Sequence, residues 1–168
     1  TLPQGGIGII EVRGPNVFQG YWKMPEKTAA ELREDGFFIT GDLGQVDEDG
    51  YFQIVGRDKD LIISGGFNIY PKEIEAALDD LVGVLETAVI GVPHPDFGET
   101  VVAVVVAEPA AKVEPSWLAE EMQEKLAKFK LPRAYKIVPE LPRNTMGKVQ
   151  KAALRTQYSR LFETVPKE

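Results

Sequence analysis

Gly147-Lys148, in the stretch LPRNTMGKVQK (141–151), is the first pair of residues with a chemistry to offer. Glycine reaches backbone conformations closed to other residues and lets a loop approach a ligand closely. A lysine carried on such a loop can bring a point charge to an anion. The pair is not a phosphate-cradling P-loop, which needs Gly five residues earlier and Ser or Thr after the lysine. Pro142 and Val149 hold those places. A covalent nucleotidyl-lysine of the K-x-D-G kind is unsupported, since Lys59-Asp60 runs on into Leu61. TGDLG (40–44) sets Asp42 behind Thr40-Gly41. An Asp in that position at a strand end caps a turn, yet the same carboxylate suits a ribose diol, as in dinucleotide sites. GRDKDLIISGG (56–66) brings Arg57, Lys59, Ser64, Gly65 and Gly66 into one short stretch, which taken alone is a charged hairpin edge with a glycine turn. His94, the only histidine, stands between Pro93 and Pro95 and reads as a turn residue. Any Ser-His-Asp site would need it, and a metal site built on it would need acids that cannot be placed. DEDG (47–50) lacks the spacing and the closing Glu of a calcium loop.

Bulk properties limit the classes. The chain has 168 residues, 43% of them apolar and 27% charged, which excludes wholesale disorder. Its longest apolar run, Val101 to Ala107, is strand-length and far short of the roughly 18 residues of a membrane span. The absence of cysteine excludes disulfide and thiol chemistry and suits a reducing, cytoplasmic setting. A net charge of -7 argues against a nucleic-acid partner. Residues 125–160 depart from that average, with ten Lys or Arg against the single acid Glu140. Such a cluster is either a solvated helix face or a docking surface for a polyphosphate. The opening TLPQGGIGII carries no signal or transit segment and suggests a piece of a longer chain.

The elements that must position these residues follow from pattern. GIGIIEVRG (6–14) is a short strand, and Pro25-Glu26 opens a helix that ends before Asp35-Gly36. FFITGDLGQVDEDGYFQIVGR (37–57) is two strands joined at DEDG, where Asp-Gly supplies a tight turn. DLIISGGFNIY (60–70) is a second hairpin, centred on its glycines. PKEIEAALDDL (71–81) is a helix with Pro71 at its first position and Ile74, Ala77, Leu78 and Leu81 on its apolar face. LETAVIGVP and ETVVAVVVAE are strands around the loop PHPDFG. SWLAEEMQEKLAKF (116–129) is a helix whose apolar side runs Leu118, Met122, Leu126, Phe129, stopped by Pro132. AYKIV is a strand, and VQKAALRTQYSRLF closes as a helix through Leu154, Tyr158 and Leu161. The boundary falls near Arg57 to Asp60. Residues 1–58 are a β-rich piece too small for its own core, and 59–168 an α+β domain with a central antiparallel sheet and three helices.

Taken in order, GYxxxPExT, TGD, DGYFxIxGRxKDxIxxGGxxIxPxEIE and LPR-NTMGK resemble the C-terminal third of the adenylate-forming superfamily of acyl-CoA synthetases, peptide-synthetase adenylation domains and luciferases. The resemblance covers residues 5 to 156. It implies ATP-dependent activation of a carboxylic acid to an acyl-adenylate, with transfer to CoA. Asp42 is then implied to bind the ribose hydroxyls, and Arg57 the ribose and phosphate. Lys59 matches the hinge about which the small C-terminal domain rotates; many relatives have Asp there. Ser64, Gly65 and Gly66 match the segment lining the pantetheine tunnel. Lys148 matches the catalytic lysine, which also contacts the nucleotide and in relatives is acetylated, implying acetyltransferase and deacetylase partners. The phosphate loop, the Mg2+ ligand and the acyl pocket belong to an N-terminal domain absent from this sequence, so this stretch alone is expected to be inactive and to hold no metal. The chain stops at VPKE with neither a carrier domain nor a peroxisomal tripeptide, which leaves a CoA ligase. GGFNIYPKEIE and LPRNTMGKVQK look most like malonyl- and methylmalonyl-CoA synthetases, with fatty-acid or aryl-acid ligases as the alternative. A non-catalytic module with inherited motifs is the alternative of another class.

Overall fold

The computed structural model describes residues 2–163. Thr1 and residues 164–168, on which the readings of the chain's first residue and of its VPKE end rest, lie outside that range. The chain divides into two compact units, Thr1–Lys59 and Asp60–Glu168.

The first unit is an antiparallel sheet in the order β1-β2-β3, formed by Gly8–Val12, Phe38–Val46 and Phe52–Arg57, with one helix, α1, over Pro25–Glu31. The β2–β3 turn is made at Asp47–Gly50. Gly50 has φ +86, and Asp47 Oδ1 accepts the N–H groups of Asp49 and Tyr51. Leu43 is the single buried apolar side chain among the unit's described residues. Ile9, Val12, Trp22, Tyr51, Phe52 and Ile54 are exposed.

In the second unit β4 (Ile62–Ser64), β5 (Phe67–Ile69), β6 (Val84–His94), β7 (Gly98–Ala107) and β8 (Ala134–Ile137) build one sheet. The helices α2 (Pro71–Asp79), α3 (Pro115–Lys125) and α4 (Lys151–Tyr158) cover it, making an α+β fold. The pairings are antiparallel except β7–β8, which is parallel. That exception to the antiparallel expectation has a topological cause: β7 and β8 are joined through α3, and a strand-helix-strand crossover returns the chain in the same direction.

The continuous apolar run of β7 is explained by burial on both faces. Val101, Ala103 and Val105 join Ile74, Leu78, Leu118 and Met122 beneath α2 and α3. Val102, Val104 and Val106 point the other way, to Ile90, Val92, Leu141 and Leu154 of α4. Each such fully buried aliphatic side chain contributes about 1.5–3 kcal/mol. α1, α2 and α3 all begin at proline without a side-chain cap, and the ring's fixed φ pre-sets the first turn.

α3 is shorter than its pattern. It ends at Lys125, Leu126 and Ala127 are extended, and a separate 3-10 turn spans Lys128–Lys130. Phe129 therefore leaves the helix face and stacks on Phe67, with ring centroids 4.8 Å apart. Lys130 reaches Glu73 of α2 at 2.6 Å.

Candidate functional site

Lys148 sits on a hairpin whose shape its own residues dictate. Arg143 and Val149 bridge as antiparallel partners. Between them the chain turns through Asn144–Gly147, with Gly147 N–H donating to Asn144 O at 2.9 Å and Asn144 N–H donating to Lys148 O at 2.9 Å. Gly147 takes φ +77, the left-handed position that closes such a loop with a glycine bulge. Asn144 Oδ1 accepts the N–H of Met146 at 3.0 Å and of Lys148 at 2.9 Å. Arg143 donates from Nη1 to Gly147 O at 2.7 Å and from Nη2 to Glu86 Oε2. The Lys148 side chain is exposed, and no acid among the described residues forms an ion pair with its ammonium.

α4 follows directly and is fixed by charge. Lys151 Nζ lies 2.6 Å from Glu75 Oε1, and that same oxygen accepts the Val89 N–H at 2.8 Å on the open edge of β6. Arg155 pairs with Asp60 at 2.7 Å. The first residue of the second unit is thereby tied to α4.

Ser64 ends β4 and pairs with Phe67 across a two-residue turn of Gly65 and Gly66, with φ +56 and +85. Two positive φ values in a two-residue loop define a type I′ turn, which explains the glycine pair. Gly65 N–H donates to Phe97 O at 3.0 Å. The Phe97 ring carries the Arg133 guanidinium 4.2 Å from its centroid. His94 is the last residue of β6 and not part of a loop, and its Nδ1 accepts the Asp96 N–H at 3.2 Å. Its ring packs near Phe97 and Phe162.

The Ser64–Gly66 turn and the Lys148 hairpin lie at opposite ends of β6–β7. Ser64 pairs with Gly98 at the start of β7, whereas Arg143 is tied to Glu86, which pairs with Val106. Eight residues of extended strand, roughly 27 Å, separate Gly98 from Val106.

In the first unit Asp42 and Arg57 are cross-strand partners, with Arg57 Nε 2.8 Å from Asp42 Oδ1. The TGD stretch is not at a strand end. It bulges within β2, where the pairing to β1 shifts between Ile9 and Glu11. Gly41 takes φ +74, and Thr40 Oγ1 accepts the Asp42 N–H while donating to Ile10 O. The bulge re-aims Asp42 toward Arg57. Lys59 is exposed in a 3-10 turn over Asp58–Asp60. No cluster of three or more His, Asp or Glu among the described residues could hold a metal ion, and none of their helices is long and apolar enough to cross a membrane.

Sequence reading misses Asn144, Arg143, Glu86, Phe97 and Arg133. The spacing Asn144-x-x-Gly147 was a usable signal, since Asn first and Gly fourth is a type I turn signature. Arg143 and Glu86, 57 residues apart, carry no local signal.

Residues 73–148 match the AMP-binding enzyme C-terminal domain. The chain is similar to the long-chain-fatty-acid–CoA ligase of Bacillus subtilis (strain 168), 47% identical over 147 residues, 88% of this chain and 26% of that protein. It is similar to the sulfoacetate–CoA ligase of Cupriavidus necator, 45% identical over 152 residues, 90% and 30% of the two chains. Among solved structures, ATP-bound MatB from Rhodopseudomonas palustris shares a TM-score of 0.89 at 59% identity, over 96% of this chain and 32% of that one. The chain spans between 26% and 32% of the length of these relatives. Residues 73–148 thus carry the AMP-binding enzyme C-terminal domain, and over most of its length the chain is similar to CoA ligases and to MatB.

Proposed function

We propose that the chain is the C-terminal part of an ATP-dependent acid–CoA ligase, with residues 1–58 completing a larger N-terminal domain and 59–168 forming the mobile one. In the first step the acid's carboxylate attacks the α-phosphorus of ATP, and the bond to pyrophosphate breaks. Two anions meet there and negative charge grows, so a positioned ammonium lowers the barrier. Lys148 supplies it. Asp42 and Arg57 serve the nucleotide as ribose acceptor and ribose–phosphate contact. In the second step the CoA thiol attacks the acyl carbon and AMP leaves, with Ser64, Gly65 and Gly66 beside the pantetheine arm and Lys59 as the pivot between steps. Mg2+ accompanies ATP, held in this reading by the larger N-terminal domain.

One observation carries the two-step reading. The Lys148 hairpin and the glycine turn stand at opposite ends of one rigid β6–β7 hairpin. A single reaction centre can meet both only in turn. Replacing Lys148 by Ala in the complete enzyme tests this with the half-reactions assayed apart. Pyrophosphate release falls by roughly 10² to 10³, while thioester formation from supplied acyl-adenylate persists. Survival of both would remove Lys148 from catalysis. Acetylation of Lys148 would cancel its charge and act in the same direction. The present chain alone is inactive in ATP–pyrophosphate exchange.

The acyl substrate is malonate or methylmalonate. GGFNIYPKEIE and LPRNTMGKVQK support it through their likeness to malonyl- and methylmalonyl-CoA synthetases. Relatives named for a long-chain fatty acid and for sulfoacetate favour other acids, so kcat/KM ranked across malonate, methylmalonate, fatty and aryl acids decides the matter.

A further inference from the structure

We propose that Arg143 and Asn144 are positioning residues that fix the direction in which Lys148 leaves the backbone. The inference rests on the catalytic reading of Lys148 above. The peptide joining Gly147 to Lys148 is held at both ends: its carbonyl accepts Arg143 Nη1 at 2.7 Å, and its N–H donates to Asn144 Oδ1 at 2.9 Å. The Lys148 carbonyl in turn accepts the Asn144 N–H at 2.9 Å. Every backbone polar group at Lys148 is therefore committed, and only the side-chain torsions remain free. A donor aimed in advance loses less freedom at the transition state than one that must be found among loop conformations.

Attachment of the hairpin to the domain does not need the guanidinium. Leu141, 3% exposed, is anchored in the core beneath α4, Val149 packs against the same cluster, and Gln150 N–H donates to Pro142 O at 2.8 Å. What Arg143 adds is a fork with one prong on Glu86 of β6 and the other on the Gly147 carbonyl. It registers the tip of the hairpin, where Met146 is 74% exposed, against the sheet. A lysine at 143 has one charged centre and cannot reproduce a planar fork across two acceptors.

The test uses the complete enzyme, with Arg143→Ala, Arg143→Lys, Asn144→Ala and Asn144→Asp assayed beside Lys148→Ala. The expected result is a fall in adenylation kcat of roughly 10- to 100-fold for the first three, with KM for ATP and acid nearly unchanged. Thioester formation from supplied acyl-adenylate stays at the unsubstituted rate and shows that the domain is folded. Asn144→Asp, which keeps an oxygen acceptor for both N–H groups, restores most of the rate. The proposal is overturned if adenylation kcat in Arg143→Ala and Asn144→Ala stays near the unsubstituted value while Lys148→Ala collapses, or if both half-reactions fall together. If Lys148→Ala itself leaves adenylation intact, the catalytic reading fails and the positioning role goes with it.

Discussion

Adding one methyl group at Gly65 separates backbone strain from a specific obstruction, because Gly66 provides the control. Both residues have positive φ, +56 and +85, so Ala at either costs about 1–2 kcal/mol of left-handed strain. Their surroundings differ. A Cβ on Gly66 meets nothing within 4 Å, whereas one on Gly65 would stand 3.3 Å from Phe97 Cδ1. Phe97 has little room to yield, since its carbonyl accepts the Gly65 N–H and Arg133 covers its ring. Gly65→Ala should therefore lose stability at least equal to Gly66→Ala, with the ring contact setting the difference. Urea unfolding of the 168-residue chain reads both losses through the shift in midpoint. In the complete enzyme, thioester formation should fall much further for Gly65→Ala than for Gly66→Ala, with pyrophosphate release spared in both. Equal losses of thioester formation in the two variants would refute a tunnel wall at Gly65 and leave turn strain as the whole effect.

Two further predictions concern the framework. Leu154, 2% exposed, fastens α4 to the second core, so Leu154→Ala should cost about 2–5 kcal/mol in urea unfolding, and a loss under about 1 kcal/mol would contradict the packing described. Burial pushes the Tyr135 hydroxyl up to about 12 from its ordinary value of 10.0, so stability present below pH 10 should drain away as pH rises from 10 through 12. Tyr135→Phe should flatten that alkaline decline while leaving the midpoint at pH 7 nearly unchanged, and an identical decline in the variant would exclude Tyr135 as its source.

The strongest local signals in the sequence are realised where local chemistry also decides the outcome. Asp47–Gly50 and Gly65-Gly66 make tight turns because their φ values suit few other residues. Pro71 and the spacing of Ile74 and Leu78 give α2, whose apolar face has one place to go. The misread features were decided at a distance. Leu118, Met122, Leu126 and Phe129 keep helical spacing, yet Phe67 and Glu73, more than 50 residues upstream, take Phe129 and Lys130 out of α3. TGD reads as a turn because its glycine is plain and its bulge is not. The pairing with β1 exists only once the sheet has formed. At the Lys148 loop the motif marks the lysine, while the guanidinium fork of Arg143 depends on Glu86, 57 residues away.

The basic cluster at residues 125–160 shows why a run of charge is a poor guide to a ligand. Five of its ten cations are paired within the second unit: Lys130 with Glu73, Arg143 with Glu86, Lys151 with Glu75, Arg155 with Asp60 and Arg160 with Glu163. Four of the five partner acids come from residues 60–86, far upstream in sequence and adjacent in space. Partly exposed pairs of this kind contribute little net stability, about 0–1 kcal/mol each. Their effect is geometric: Arg155–Asp60 ties α4 to the start of the second unit, Lys151–Glu75 ties it to α2, and Arg143–Glu86 ties the base of the hairpin to β6. Arg133 is committed to the face of Phe97. The patch is therefore not a uniform run of free charge. It is a dispersed set of ties, of which Arg143–Glu86 holds the short loop, and the cation on that loop, Lys148, is left without an acidic partner among the described residues.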